Sequence, residues 1–286
     1  MSGTGLLLAL AASALWGLTP IATKVTLAGY SPEMVGVVRL AVATVAFRLL
    51  GGRDARLLSL EPWTVVAGLA LGADFILYNH GVRHTTAGLA ALIVNVEVVS
   101  TAVLARWLLG ERLTARRVIG AAVTTAGVAV VATEGVALGD LLAREHVAGN
   151  GLVMAAGVAW SLFAVAQRRA PRAGNLFRLM APIFGVAAVT TAPMLLADGA
   201  WRNPGGADAT GMFVVLLVLC TIAVYWLYGR SQELVDVGVL AIVLASIPVF
   251  AVALAWLLLG EAISLGTLAG GAVIFAGVLV IATERR

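Results

Sequence analysis

The sequence predicts an all-helical integral membrane protein with ten transmembrane helices, and three observations lead to that prediction. First, 61% of the 286 residues are hydrophobic and only 12% are charged, whereas a soluble domain averages about 45–50% apolar and about 25% charged residues. Second, the mean hydropathy is +1.00. Third, ten segments approach the roughly 20 apolar residues that cross a bilayer as a helix. These numbers exclude both a soluble globular protein and a disordered chain.

The ten predicted spans are separated by residues that end helices or turn the chain. These breakers include Ser31-Pro32, Gly51-Gly52, Glu61-Pro62, Gly149-Asn150, Pro171 and Asn203-Pro204-Gly205-Gly206. Short Gly-Glu links join spans four and five, and spans nine and ten. The spans cover residues 4–26, 33–50, 62–81, 85–108, 115–134, 149–168, 176–197, 209–229, 236–259 and 264–283.

The basic residues predict the direction in which the chain crosses the membrane. If the N-terminus is cytoplasmic, 14 Lys and Arg residues fall on the cytoplasmic side, 4 fall on the other side, and Arg39 lies within span two. Cytoplasmic loops of membrane proteins carry such an excess. We therefore expect both termini in the cytoplasm. The same excess explains the pI of about 9.8 without a nucleic-acid partner.

The second half of the sequence repeats the first. Residues 101–134 and 251–284 are identical at 16 of 34 positions, including the Gly-Glu links. We expect two five-helix repeats, residues 1–143 and 144–286, in one membrane-embedded domain. Because five is odd, the second repeat is inverted. Inverted repeats are typical of secondary transporters, whose substrates bind near the bilayer midplane between the repeats.

Short motifs recur at the ends and centres of the spans. They are Leu15-Trp16-Gly17 with Lys24, Tyr78 before Thr85-Thr86-Ala87-Gly88, Leu109-Gly110-Glu111-Arg112-Leu113-Thr114, Ser246-Ile247-Pro248-Val249 and Leu259-Gly260-Glu261. As a set, they resemble the drug/metabolite transporter superfamily in its ten-span EamA-type branch. The resemblance covers the whole chain. It implies export of small metabolites, often amino acids, by alternating access, and the chain is similar to bacterial aromatic amino acid exporters. A bacterial inner membrane is the implied location.

Two acidic residues lie where a charge is costly. Asp74 and Glu97 are each about 12 residues into spans three and four, near the bilayer centre, where a carboxylate costs about 2.5–3.5 kcal/mol. In addition, Glu97-Val98 stands where the family usually has Pro-Val, as in Pro248-Val249 of span nine. We expect Asp74 and Glu97 to couple transport to protons or to bind a substrate amine. The alternative is a neutral, hydrogen-bonded structural pair.

Other polar residues within the spans are candidate substrate ligands. Arg39 is expected to bind a substrate carboxylate, to pair with a buried acid, or to extend its side chain to the lipid headgroups. Lys24, at the end of span one, is expected either to bind a substrate carboxylate or to extend its side chain to the lipid headgroups. The remaining candidates either bind substrate or join helices by hydrogen bonds; they are Tyr78, His80, Asn95, Ser100 and Gln167.

The tryptophans divide by depth. Trp16 and Trp160 occupy matching positions near the midplane of their repeats, which predicts a central aromatic pair that stacks against a substrate side chain or packs between helices. Tyr225 and Tyr228 belong either to this centre or to the interfacial aromatic belt. The belt accounts for the remaining tryptophans, which are Trp63, Trp107, Trp201, Trp226 and Trp256.

Span nine contains a candidate gate. Pro248 removes one backbone hydrogen bond in the middle of this span, which predicts a kink beside Ser246. A kink at that depth is a natural place for the chain to bend between two access states.

Motifs for other classes of protein are missing from the sequence. It contains no HExxH, GxSxG or Walker A pattern, and its single cysteine, Cys220, cannot form an internal disulfide. We therefore expect no enzyme and no cofactor or metal. The alternatives in another class are a passive channel, although rings of charge and a filter-like segment are missing, and an intramembrane enzyme. The expected partners are a small-molecule substrate and the bilayer, with a functional monomer.

Overall fold

The computed structural model describes residues 2–84, 93–132, 144–171, 174–196, 205–259 and 264–283, and the regular structure within them is entirely helical. Each of the ten predicted spans contains at least one helix. The helices are α1 (Gly3–Gly17), α2 (Thr19–Leu27), α3 (Pro32–Leu50), α4 (Pro62–Arg83), α5 (Val96–Leu104), α6 (Ala115–Ala132), α7 (Arg144–Arg169), α8 (Leu176–Thr191), α9 (Ala207–Leu217), α10 (Val224–Leu234), α11 (Val237–Leu244), α12 (Ile247–Leu259) and α13 (Leu265–Ala282).

Six helical stretches in the described part of the chain are long and apolar enough to cross a membrane. Other helices fall short for local reasons; α3, for example, carries Glu33, Arg39 and Arg48 within its 19 residues. The protein is therefore an all-helical membrane protein, whereas the full count of ten spans stays a prediction. The six stretches are Gly3–Leu27, His146–Arg169, Leu176–Leu196, Ala207–Leu234, Val237–Leu254 and Leu265–Ala282.

Spans four and nine are interrupted at matching places. A turn at residues 94–95 precedes α5, and a turn at residues 245–246 separates α11 from α12. The two turns are 151 residues apart, whereas the Gly-Glu links that follow are 150 apart, so the first half has one extra residue between turn and link. A π-helical turn, Ala105–Leu109, follows α5, and a π turn is how a helix accommodates one inserted residue.

The two halves interlock. Helix α4 of the first half packs along α7 of the second, and α1 packs along α10. Repeat mates also pack against each other, because α3 contacts α8 and α6 contacts α13. Nearly every helix at the centre therefore borders the other half, as expected for a site built from both repeats.

Helices α6 and α13 approach so closely that only glycine fits between them. A Cβ at Gly127 would lie 2.8 Å from the Gly270 carbonyl oxygen, and one at Gly277 would lie 2.8 Å from the Gly120 carbonyl oxygen. Gly120 and Gly270 are repeat mates, as are Gly127 and Gly277. The second glycine of each helix thus lies against the first glycine of the other helix. The two helices therefore run antiparallel. An inverted duplication produces this arrangement.

We predict that Gly277→Ala destabilises the protein, because the new Cβ would lie 2.7 Å from the Thr124 backbone nitrogen. Forced overpacking of this kind typically costs about 1–3 kcal/mol. The measurement is thermal unfolding of the purified protein in detergent. Gly211→Ala in α9 is the control, because open space surrounds Gly211. Equal melting temperatures for the two variants would contradict the packing argument.

Candidate functional site

Aromatic side chains from both halves meet where α1, α7 and α10 converge. The Trp16 ring centroid lies 5.3 Å from that of Trp160, with an interplanar angle of 86°. Tyr225 and Tyr228 lie 5.5 and 5.6 Å from Trp16, and Phe163 lies 5.1 Å from Trp160. These five rings, called the central aromatic cluster below, pack mainly edge to face, which is the favoured geometry for aromatic pairs.

The central aromatic cluster is buried everywhere except at Trp16. Trp160 is 9% exposed, Tyr225 is 2% exposed and Tyr228 is 1% exposed, whereas Trp16 is half-buried. The two tyrosines thus belong to the centre and not to the interfacial belt. The Tyr228 hydroxyl accepts a hydrogen bond of 2.7 Å from Gln232 Nε2. A ligand would therefore meet this cluster over the Trp16 ring.

The two intramembrane carboxylates lie beside the central aromatic cluster. Asp74 and Glu97 interact electrostatically with each other, and Tyr78 is within range of both charges. Asp74 also interacts with Tyr225, and Glu97 with Tyr228. Both carboxylates are partly exposed. Neither forms a hydrogen bond or ion pair to another residue that the structure describes, so both are available to a proton or a ligand.

Glu97 lies in the first turn of α5, directly after the interruption in span four. Helix α7 reaches this point because of Gly157, where a Cβ would lie 2.9 Å from the Val94 carbonyl oxygen. Ser161 Oγ is 3.2 Å from the Glu97 carbonyl oxygen and 2.6 Å from Ser100 Oγ. Ser100, a predicted substrate ligand, therefore joins α5 to α7. This is the alternative role considered for Ser100 in the sequence analysis, in which it joins helices by a hydrogen bond.

Arg39 ties α3 to a π-helical turn in the other half. Its Nε donates to Thr221 Oγ1 at 2.9 Å, and its Nη2 donates to the Cys220 carbonyl oxygen at 3.0 Å. Both acceptors lie in the turn Val218–Ala223, and the guanidinium stacks over Phe75 at 5.0 Å. Arg39 is only 7% exposed, so the side chain does not extend to the headgroups. That alternative is wrong, because the guanidinium is bound inside the bundle.

His80 lies near the end of α4 and Gln167 near the end of α7. His80 is 3.7 Å from Glu33 in a shallow surface depression between α3, α4 and the end of α8. Gln167 is 1% exposed, and its Oε1 has no hydrogen-bond partner among the residues that the structure describes. Asn95 is buried in the turn before α5. The side chain of Lys24 lies outside what the structure describes.

The candidate gate in span nine lies at a true break. Helix α11 ends at Leu244 and α12 begins at Ile247, so Pro248 occupies the first turn of a new helix. Ser246 is fully buried, and its Oγ donates to the Val243 carbonyl oxygen at 2.7 Å. The backbone groups freed by the break are thus partly satisfied locally. Among the described residues, no group of His, Cys, Asp or Glu could hold a metal ion.

Comparison with known proteins identifies the class. The arrangement is that of a helical transporter built from two repeats, and the EamA-like transporter family matches the chain over residues 3–133 and again over residues 147–283. The chain therefore belongs to the EamA-like transporter family. It is a transporter and not an enzyme, and the family matches each half of the chain once.

Relatives with curated descriptions cover nearly the whole chain. A probable terminal-alkyne amino-acid exporter from Streptantibioticus cattleyicolor is 29% identical over 93% of this chain and 89% of its own length. The uncharacterized transporter YdfC from Bacillus subtilis is 27% identical over 92% of this chain and 86% of its own length. A protein of known crystal structure has the same fold, with a TM-score of 0.83 and 22% identity over 98% of this chain and 97% of that one.

We predict that Arg39→Lys lowers stability by about 1–3 kcal/mol, since the ammonium cannot replace both bonds and the buried Cys220 carbonyl loses its donor. Thermal unfolding in detergent measures the loss. Arg53→Lys is the matched control, because Arg53 is exposed and the same exchange there leaves no buried group without a partner. If Arg39→Lys melted like Arg53→Lys, the guanidinium would not hold the two halves together.

Proposed function

We propose that this protein is a secondary transporter that exports small organic metabolites, with amino acids, including aromatic ones, as its main substrates. The central aromatic cluster carries the proposal. It draws its rings from both repeats and lies beside two carboxylates that form no hydrogen bond to any residue that the structure describes. Such a combination suits a substrate with a flat or apolar side chain and an ammonium group.

Each part of an amino acid has a proposed counterpart. The half-buried face of Trp16 would receive the side chain, and Asp74 or Glu97 would receive the ammonium group. For the substrate carboxylate, Lys24 is one proposed cation. Arg39 is the other, through the one terminal nitrogen that is not hydrogen-bonded to Cys220. Asn95, Gln167 and Tyr78 add neutral hydrogen-bonding groups nearby.

Alternating access follows from the duplicated architecture. In the proposed cycle, repeats 1–143 and 144–286 rock against each other, and the break at Ser246 and Pro248 acts as the gate. We further propose that both termini are cytoplasmic, that the membrane is a bacterial inner membrane and that the monomer is the functional unit. These proposals rest on the charge distribution and on the resemblance given above.

The relative from Streptantibioticus cattleyicolor supports amino acids as the substrate class, since it is described as a probable exporter of terminal-alkyne amino acids. An alkyne and an aromatic ring are both apolar groups with accessible π electrons, and both suit a pocket lined by Trp and Tyr. The competing candidates are other metabolites or drugs and, in a different class, a passive channel. A channel would give flux that does not saturate with concentration.

The direct test is flux of labelled amino acids in proteoliposomes. We predict saturable transport of phenylalanine or tryptophan. In Trp16→Ala the KM for these substrates rises up to about tenfold, since an aromatic contact contributes about 0.5–1.5 kcal/mol, while the KM for alanine changes little. Trp107→Ala is the control, because Trp107 is 77% exposed. No saturable flux for any amino acid would overturn the proposed substrate class.

A separate experiment tests whether the carboxylates of Asp74 and Glu97 couple transport to protons. We predict that Glu97→Gln and Asp74→Asn abolish the dependence of flux on a pH gradient, because neither side chain can then exchange a proton. Asp208→Asn, at an exposed position of α9, should retain it. Substrate exchange without a gradient distinguishes the two proposed roles: a residue needed only for coupling leaves exchange intact, and a residue that binds the ammonium group does not. Undiminished gradient dependence in both variants would contradict the coupling role.

A further inference from the structure

Glu111, in the link before α6, caps a helix that belongs to the other half. Its Oε1 accepts the backbone N–H of Val237 at 2.8 Å, and its Oε2 accepts that of Gly238 at 3.0 Å. These are the first two N–H groups of α11, which have no acceptor within the helix. The adjacent Asp236 is the N-cap residue, yet its side chain makes no capping hydrogen bond.

Arg117 explains why Asp236 does not cap its own helix. The Arg117 guanidinium forms a close ion pair with Asp236 and lies 3.9 Å from Glu111. The side chains of Arg117 and Glu111 are only 12% and 11% exposed. Burial raises the pKa of Glu111, whereas the two backbone N–H groups and Arg117 favour its charged form. The first half thus supplies both the acceptor for α11 and the partner for Asp236.

Other helices of this protein are capped by residues next to them. Ser31 caps α3, Asn175 caps α8 and Ser264 caps α13, each by accepting the N–H three residues further on. Glu61 does the same for α4, accepting the Thr64 N–H at 2.6 Å. Only α11, among the helices whose caps are described, takes its acceptor from a residue 126 positions away. The hydrogen bonds from α11 to Glu111 therefore connect the two halves of the protein and do more than complete a helix.

This contact lies on a face of the bundle where other contacts also converge. The charge distribution predicts that this face is cytoplasmic. There, Ser231 donates to the Gly5 carbonyl oxygen at 2.7 Å, and Arg168 donates to the Gln232 carbonyl oxygen. The Gln232 side chain in turn contacts Tyr228 of the central aromatic cluster. The last of these contacts leads from this face to the proposed substrate site.

Building on the transport cycle proposed above, we propose that Glu111 is a latch that holds this face of the transporter shut. While both of its oxygens cap α11, the first half cannot move away from the second at this point. To open the face, α11 must leave Glu111, and the freed N–H groups and the carboxylate become hydrated. The latch thus sets how often the substrate site opens to this side, and it contacts no substrate itself.

The test is chemical access to a buried position below the central aromatic cluster. In a Cys220→Ala background, Ala164→Cys places a thiol at a site that is 1% exposed, and a membrane-impermeant maleimide is added from the face that carries Glu111. We expect Glu111→Gln to raise the labelling rate about tenfold, since charge-assisted hydrogen bonds of this kind are lost. Gly238→Ala should act in the same direction, because its Cβ would lie 3.3 Å from Glu111 Oε2.

Glu61→Gln is the matched control, because it weakens a cap of the same chemistry that lies within one half. It should lower the melting temperature without changing the labelling rate. If Glu111→Gln and Gly238→Ala label like the parent, the latch is wrong and Glu111 is only a structural cap. The labelling needs no substrate. Faster labelling in a protein that transports no amino acid would therefore support the latch and overturn the proposed substrate.

Discussion

Helices that are interrupted inside a membrane protein leave backbone groups without partners, and the protein itself must supply those partners because lipid cannot. In this chain several of these partners come from the opposite half. Arg39 of α3 satisfies the Cys220 carbonyl in the π turn between α9 and α10. Ser161 of α7 donates to the Glu97 carbonyl at the start of α5, and Glu111 caps α11. Interruptions and helix ends are thus among the places where the two repeats are joined.

The duplication is symmetric in its framework and asymmetric at its centre. The antiparallel contact of α6 and α13 follows the symmetry of the repeats, since the second glycine of each helix lies against the first glycine of the other. In span four, however, one extra residue is absorbed by a π turn, and Glu97 lies two residues after the turn where Pro248 lies in span nine. The first half therefore brings a charge to the point where the second half brings a proline. Under the function proposed above, this difference would give the first half a binding group and the second half a place to bend.

Part of this arrangement could be predicted from sequence because it depends on local composition or on the repeat. The membrane class follows from the scarcity of charge, and the contact of Trp16 with Trp160 follows from their matching positions. The partner of Arg39 could not be predicted, because it is a carbonyl 181 residues away that only a π turn exposes. Tyr225 and Tyr228 were ambiguous for a similar reason, although their spacing of three residues puts both on one helix face. Glu111 belongs to a motif that is visible in the sequence, but its role as a cap depends on α11, which is remote in sequence.

The charges inside the helical bundle fall into two groups, which differ in their hydrogen-bond partners. Arg39, Glu111 and Arg117 each have protein partners that offset the cost of their burial. The side chains of Asp74 and Glu97 interact with neighbouring charges, but neither carboxylate has a hydrogen bond within the described structure. A carboxylate at the bilayer centre costs about 2.5–3.5 kcal/mol, which a fold under selection for stability alone would remove by substitution. Under the function proposed above, that free energy would be recovered when a proton or an ammonium group reaches either carboxylate.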